Sequence, residues 1–274
     1  MEKKKPYVIS GELDLANPDG SFAVTTEMID AFRVNLEDDL RNQGKDVEWV
    51  DSERIRRGIY RQVGKASLNV LSLDDKYTNT ANAYLGISRG VNEKLRDIGY
   101  VPRVGYAPID EQLNSLSGIG DEVVLVDDVL FSGGLMTEVI RDLDERGIKV
   151  KGVICGVAIG DGLRAMEEIG IDVEAEVVYD EVEDEVCERD FALIAGSGRR
   201  VAGIDKSALY FDPEFGRPAE WASINPRDIT EFAVRNYERN LPLVSGRIDN
   251  FLGLSEGQAP DVIAARLKQL KNED

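Results

Sequence analysis

The sequence predicts an α/β fold: a mostly parallel central sheet flanked by helices, with additions at both ends. Three observations carry this. VVLVDDVLFSGG, Val123 to Gly134, runs from apolar residues through two acids into a Gly-Gly turn, and the LMTEVIRDLDERG behind it has helical periodicity. Upstream, Ala83 to Ala107 reads as strand, Ser-Arg-Gly turn, helix and strand. Downstream, the apolar runs Val153 to Ala158 and Val173 to Tyr179 alternate with helical patterns, the rhythm of βαβ units.

Taken in order, Tyr7 to Ser10, Val47 to Val50 and Leu68 to Leu73 are short strand candidates. Between them Thr25 or Thr26 can cap a helix with Met28, Ile29, Phe32, Leu36 and Leu40 on one face. Ser52 can cap another that turns Ile55, Ile59 and Val63 inward. The core strands follow near Tyr84 to Ile87, Arg103 to Ala107, Val123 to Val126, Val153 to Ala158 and Val173 to Tyr179. PIDEQLNSLSGIGD, Pro108 to Asp121, is rich in Ser and Gly and reads as a loop. Asn225-Pro226 opens a helix through Ile229, Phe232, Ala233 and Asn236, and Pro260 opens another through Val262, Ile263, Leu267 and Leu270. The expected division is an N-terminal extension over 1–75, a core over 76–200 and a mainly helical C-terminal extension over 201–274.

Composition narrows the chemistry. The 274 residues are 42% hydrophobic, enough for a normal core, and carry a formal charge of −19. Such acidity argues against a general nucleic-acid or anionic-membrane surface, because phosphates need compensating Lys and Arg. The sequence contains no histidine, which removes Ser-His-Asp and Cys-His nucleophiles and histidine-ligated zinc. Cys155 and Cys187 cannot make a disulfide framework. No apolar run reaches the length of a membrane span, and a cytoplasmic, reduced protein is the expectation.

The chemistry at VVLVDDVLFSGG follows from residue type. A loop at the carboxyl end of a parallel strand is where open α/β sheets bind ligands. Ser132, Gly133 and Gly134 let the backbone approach closely, and the free N–H groups opening the next helix favour a phosphate. Asp127 and Asp128 would repel that phosphate, so they suit neutral sugar hydroxyls or a hard cation such as Mg²⁺. A sugar phosphate satisfies both halves.

The stretch resembles the phosphoribosyl-pyrophosphate-binding motif of the type I phosphoribosyltransferases. LVDDVLFSG, Leu125 to Gly133, is especially similar to the branch of the pyrimidine regulator and uracil phosphoribosyltransferase. Ala83 to Ala107 resembles the family's first loop, and receiver domains, which also carry an acid pair after a strand, lack that upstream unit. The resemblance implies Asp127, Asp128 and Arg89 as catalytic residues. It gives Ser88 and Gly90 to the pyrophosphate, and Val129, Leu130, Phe131, Ser132, Gly133, Gly134 and Leu135 to the ribose phosphate. It also implies Mg²⁺ held by Asp127 and Asp128, directly or through ribose hydroxyls or water. Residues 1–75 would include the hood over the base, Pro108 to Asp121 would be the mobile catalytic loop, and Arg189 and Phe191 would be candidate base contacts. The implied partners are phosphoribosyl pyrophosphate and a base or nucleotide, with a homodimer among the open arrangements.

Two positions depart from the family. Phe131 stands where purine 6-oxo enzymes commonly place an Asp, which argues against a typical hypoxanthine-guanine enzyme. Leu135 stands where a Thr often meets the 5′-phosphate, with Thr137 the nearest substitute. Three readings therefore stay open: an Mg²⁺-dependent transferase moving 5-phosphoribose between its pyrophosphate and a nitrogenous base, a binding regulator without turnover, and a nucleotide-processing hydrolase on the same fold.

Overall fold

The computed structural model describes residues 4–16, 25–92, 96–103, 105–192, 199–201, 206–208, 222–224, 229–240 and 268. In chain order the elements are β1 (Tyr7–Ser10), α1 (Leu13–Ala16), α2 (Thr26–Asn42), β2 (Val47–Val50), α3 (Ser52–Val63), β3 (Asn69–Ser72), β4 (Ala83–Tyr84), β5 (Ile87–Val91) and β6 (Asp97–Pro102). There follow α4 (Ile109–Ser115), β7 (Glu122–Leu130), α5 (Gly134–Asp144), β8 (Lys149–Ile159), α6 (Gly160–Glu168), β9 (Asp172–Tyr179), β10 (Asp184–Cys187), β11 (Arg199–Val201), β12 (Lys206–Ala208) and α7 (Ile229–Asn240). The chain divides into two compact units, one of 51–90 and 98–182, the other of 1–50, 91–97 and 183–274.

The first unit is built on a five-stranded sheet in the order β4-β3-β7-β8-β9. Every pairing in it is parallel, with Ser72 opposite Val126, Leu125 opposite Val153 and Cys155 opposite Ala175. Parallel neighbours require crossovers, and α5 and α6 supply them between β7 and β8 and between β8 and β9. β7 and β8 read as near-continuous Val, Leu and Ile because helices cover both faces. Leu71, Val123, Leu125, Val139, Leu143, Val153 and Met166 form the buried core on one side. On the α3 side, Ile55 sits where a Cβ on Gly156 would be, so the helix lies directly against β8.

This arrangement corrects several expectations. The segment expected as an N-terminal extension contributes α3 and β3 to the sheet unit, because Leu71, opposite Leu125 of β7, and the following Leu73 are buried core residues. The N-cap of α3 is Asp51, whose carboxylate accepts the Arg54 N–H at 2.7 Å, and Ser52 is already helical. Ser88-Arg89-Gly90, expected as a turn, lie inside β5, which pairs with β6, and the helix expected after them falls partly outside the described residues. Pro108 to Asp121 is α4 followed by a 3₁₀ turn over Leu116–Gly118. Leu113, Leu116 and Ile119 enter the core from it, an apolar spacing that anchors the segment despite its Ser and Gly content.

The second unit holds a three-stranded parallel sheet in the order β10-β1-β2, with α2 crossing between β1 and β2. α2 starts as expected, the Thr25 hydroxyl accepting the Met28 N–H and Ile29, Phe32, Leu36 and Leu40 facing inward. α7 also lies where expected and buries Phe232, Ala233 and Asn236. The helix expected after Pro260 and most of 193–228 fall outside the described residues. Glu188 is fully buried in this unit, accepting N–H bonds from Glu12 and Leu13 at 3.0 and 3.1 Å and pairing with Arg33 at 2.6 Å.

Candidate active site

β7 carries the acid pair further along the sheet than the sequence suggests. Asp127 is still paired opposite Cys155, and Val129 and Leu130 lie opposite Val157 and Ala158. The following backbone fixes both carboxylates: the Asp128 N–H donates to Asp127 at 3.0 Å and the Val129 N–H donates to Asp128 at 2.8 Å. Burial pushes Asp127 up to about 6 from its ordinary value near 3.8, and the neighbouring Asp74 charge adds to the rise while Arg103 opposes it. Burial and the two aspartates also raise the Cys155 thiol, which keeps it protonated and inert.

After Leu130 the chain turns through Phe131, Ser132 and Gly133 into α5. Gly133 has φ +80°, a left-handed conformation that a side chain would strain, and it forms the N-cap of the helix. Ser132 and Gly134 are exposed there, so their backbone is open to a ligand at the N-terminus of an eleven-residue helix. The loop is held from behind by α6. A Cβ on Gly162 would lie 2.6 Å from the Phe131 carbonyl oxygen and 2.9 Å from that of Leu130, so only glycine permits this approach. The Thr137 hydroxyl donates to the Gly133 carbonyl at 2.9 Å, engaged within the first turn. Leu135 packs against the core.

The structure adds residues the sequence reading missed. β3 ends beside β7, and the loop after it brings Asp74 and Asp75 to the same carboxyl edge as Asp127 and Asp128. Asp74 is 4% exposed and pairs with Arg103 at 2.5 Å, while the Arg103 Nη2 donates to the Ile87 carbonyl at 3.0 Å. Asp75 accepts the Tyr106 hydroxyl at 2.8 Å, and burial together with that bond pushes Tyr106 up to about 12. A signal was present: VLSLDD at Val70 to Asp75 repeats the apolar-run-then-acid-pair pattern of VVLVDD at Val123 to Asp128.

Ser88 and Arg89 are half-buried in β5, and Gly90 is buried against Val101 of β6. Arg189 and Phe191 belong to the second unit. Arg189 pairs there with Glu12 at 3.0 Å, and Phe191 is fully buried edge-on to Phe232 with ring centres 6.0 Å apart. No described helix is long and apolar enough to cross a membrane.

No protein-family model matches the chain. Over 103 residues, 38% of this chain and 53% of the relative, it is 35% identical to a hypoxanthine/guanine phosphoribosyltransferase of Methanocella paludicola. Over 83 residues, 30% of this chain and 45% of the relative, it is 36% identical to a protein of the same name from Methanocaldococcus vulcanius. The chain thus spans about half the length of the curated relatives it matches. Among solved structures it is similar to an adenine phosphoribosyltransferase from Thermoanaerobacter pseudethanolicus, at 14% identity over 45% of this chain and 80% of that one, with a TM-score of 0.32. These relatives carry purine-enzyme names, whereas the expectation drawn from LVDDVLFSG pointed to the pyrimidine branch. Over some 80 to 100 residues the chain is thus similar to proteins named as phosphoribosyltransferases, and its β7 carries an acid pair that is followed by a glycine turn opening the next helix.

Proposed function

We propose that this protein is an Mg²⁺-dependent phosphoribosyltransferase that moves 5-phosphoribose between phosphoribosyl pyrophosphate and a nitrogenous base. One observation carries the reading: near its carboxyl end β7 bears Asp127 and Asp128, a few residues before the exposed Ser132 and Gly134 at the start of α5. Carboxylates there accept hydrogen bonds from the ribose hydroxyls and stabilise positive charge as it develops on the sugar ring. The backbone N–H groups of Ser132, Gly133 and Gly134 take the 5′-phosphate. Arg89, with Ser88 and Gly90, is the proposed partner of the diphosphate.

The donor set fits Mg²⁺. Asp127 and Asp128 are hard carboxylate donors, and burial, with a smaller contribution from the Asp74 charge, makes Asp127 harder to ionise. Among the described residues no group of three metal-ligating side chains converges. The proposed ion is held by one or two carboxylates together with substrate oxygens. When bound, the ion supplies charge neutralisation for the departing diphosphate. We further place the protein in the cytoplasm, with a homodimer as its proposed assembly.

A second reading, a binding regulator without turnover, is favoured by one feature. With Leu135 in the core and the Thr137 hydroxyl tied to Gly133, the phosphate loop offers only backbone N–H groups and Ser132. Product analysis separates the readings. Phosphoribosyl pyrophosphate, Mg²⁺ and a panel of purine and pyrimidine bases should yield a nucleotide and pyrophosphate; no product with retained binding supports the regulator. The wild-type chain should show a ligand-induced rise in melting temperature, about 2.7 kcal/mol of stabilisation at a hundred times the Kd. Asp127→Asn with Asp128→Asn should abolish it, and an undiminished rise in the double variant would refute the site.

A further inference from the structure

The Asp74–Arg103 pair lies at the edge where the acid pair of β7 ends, and neither residue came from the sequence motifs. Asp74 is almost completely buried and its geometry is fixed on both sides. The Ser72 hydroxyl donates to the Asp74 carbonyl at 2.5 Å, and the Asp74 carboxylate accepts the Lys76 N–H at 2.7 Å. Its other oxygen faces Arg103 Nη1 at 2.5 Å. Arg103 is held at a second point, its Nε and Nη2 both directed at the Ile87 carbonyl, 3.3 and 3.0 Å away. The guanidinium side chain is nevertheless 20% exposed, against 4% for Asp74. It therefore remains reachable by a solute, while its carboxylate partner does not.

Both charges act on Asp127. The guanidinium is thus the positive group facing an edge that otherwise presents Asp74, Asp75, Asp127 and Asp128. Tyr106 donates its hydroxyl to Asp75 and carries no charge to offset. An anionic ligand that reaches Arg103 therefore meets a cation already committed to a buried carboxylate.

We infer that Asp74 is an affinity-limiting counter-ion: it competes with the ligand's diphosphate for Arg103, so that this chain binds diphosphate more weakly than its cationic residues alone would allow. This rests on the phosphoribosyl reading of the site. Arg103 carries five N–H donors in a planar fork that suits a carboxylate or a diphosphate oxygen pair alike. Held in place by Ile87, it needs only to exchange partners. Weak retention of diphosphate favours its release, which suits a site that must discharge pyrophosphate in every turnover.

The test is isothermal titration of the full chain with Mg²⁺-pyrophosphate, Mg²⁺-phosphoribosyl pyrophosphate and ribose 5-phosphate. Asp74→Asn removes the competing charge and should tighten pyrophosphate by roughly tenfold while leaving ribose 5-phosphate within about twofold. Asp75→Asn removes an equal charge one residue along without touching the Arg103 pair, and should change pyrophosphate by less than about threefold. Arg103→Gln should weaken pyrophosphate, and in the Asp74→Asn background it should erase the gain. A role confined to folding predicts instead that Asp74→Asn weakens every ligand and lowers the melting temperature with no selective gain. Equal effects of Asp74→Asn and Asp75→Asn, or weaker pyrophosphate binding in Asp74→Asn, would overturn the inference while leaving the phosphoribosyl reading intact. Failure of the wild-type chain to bind either phosphoribosyl pyrophosphate or ribose 5-phosphate would sink both.

Discussion

Gly162→Ala probes the phosphate loop from behind, without replacing any residue assigned to a ligand. The added Cβ would stand 2.6 Å from the Phe131 carbonyl oxygen, 2.8 Å from Leu130 Cγ and 2.9 Å from the Leu130 carbonyl oxygen. Ordinary contact begins near 3.4 Å, so the closest approach must open by about 0.8 Å, the difference between 3.4 and 2.6. Two of the three neighbours are backbone oxygens, which no change of rotamer can move. Either α6 retreats from its place beside β8 and β9, or the loop shifts towards its ligand. Overpacking of this kind costs about 1–3 kcal/mol. A displacement near 1 Å at a binding loop can cost on the order of a hundredfold in turnover. The assay is paired: thermal unfolding, and titration with ribose 5-phosphate. We expect a lowered melting temperature together with at least about tenfold weaker ribose 5-phosphate binding. Gly118→Ala is the control, because a Cβ there meets nothing within 4 Å and the backbone angle is ordinary. Unaltered stability and affinity in Gly162→Ala would refute the claim that α6 sets the position of the loop.

Two further outcomes follow from particular groups. Asp127 holds its proton more tightly in the folded chain than in the unfolded one, so the native state binds the extra proton between about pH 4 and about pH 6. Without divalent cations, stability from this group is greatest below that window and falls as the pH rises through it. Asp127→Asn should flatten the decline in a series of melting curves, and an identical pH profile in the variant would count against the burial argument. Glu188→Ala removes a fully buried carboxylate that holds Arg33 and two backbone N–H groups. Loss of one partner from such a cluster costs about 3–5 kcal/mol, read as a shift of the denaturation midpoint; a loss below about 1 kcal/mol would show the cluster to be solvated.

The legible parts of the molecule were those governed by local rules. Thr25 capped α2, the Val and Leu runs of β7 and β8 became central parallel strands, and Phe232, Ala233 and Asn236 fell on the buried side of α7 at the expected helical spacing. The illegible parts were those where two patterns compete. GISRGVNEKL suits a turn and helix by composition, yet Ile87 to Val91 forms a strand because β6 is available to pair with it. Pro108 to Asp121 has the Ser and Gly of a loop, but Leu113, Leu116 and Ile119 find a core to enter. Local propensity cannot register a partner that lies far away along the chain.

What the sequence determined by itself was the strand, acid pair, glycine turn and helix from Val123 onward, on which the proposed sugar-phosphate chemistry rests. These depend on residues adjacent in the chain. Tertiary structure alone decided that a second acid pair, Asp74 and Asp75, would reach the same edge, and that Arg103 and Tyr106 would be its partners. The physical reason is the parallel register of β3 with β7, Ser72 beside Val126, which joins segments some fifty residues apart at one end of the sheet. Only that pairing turns a repeated Asp-Asp pattern into a single charged site.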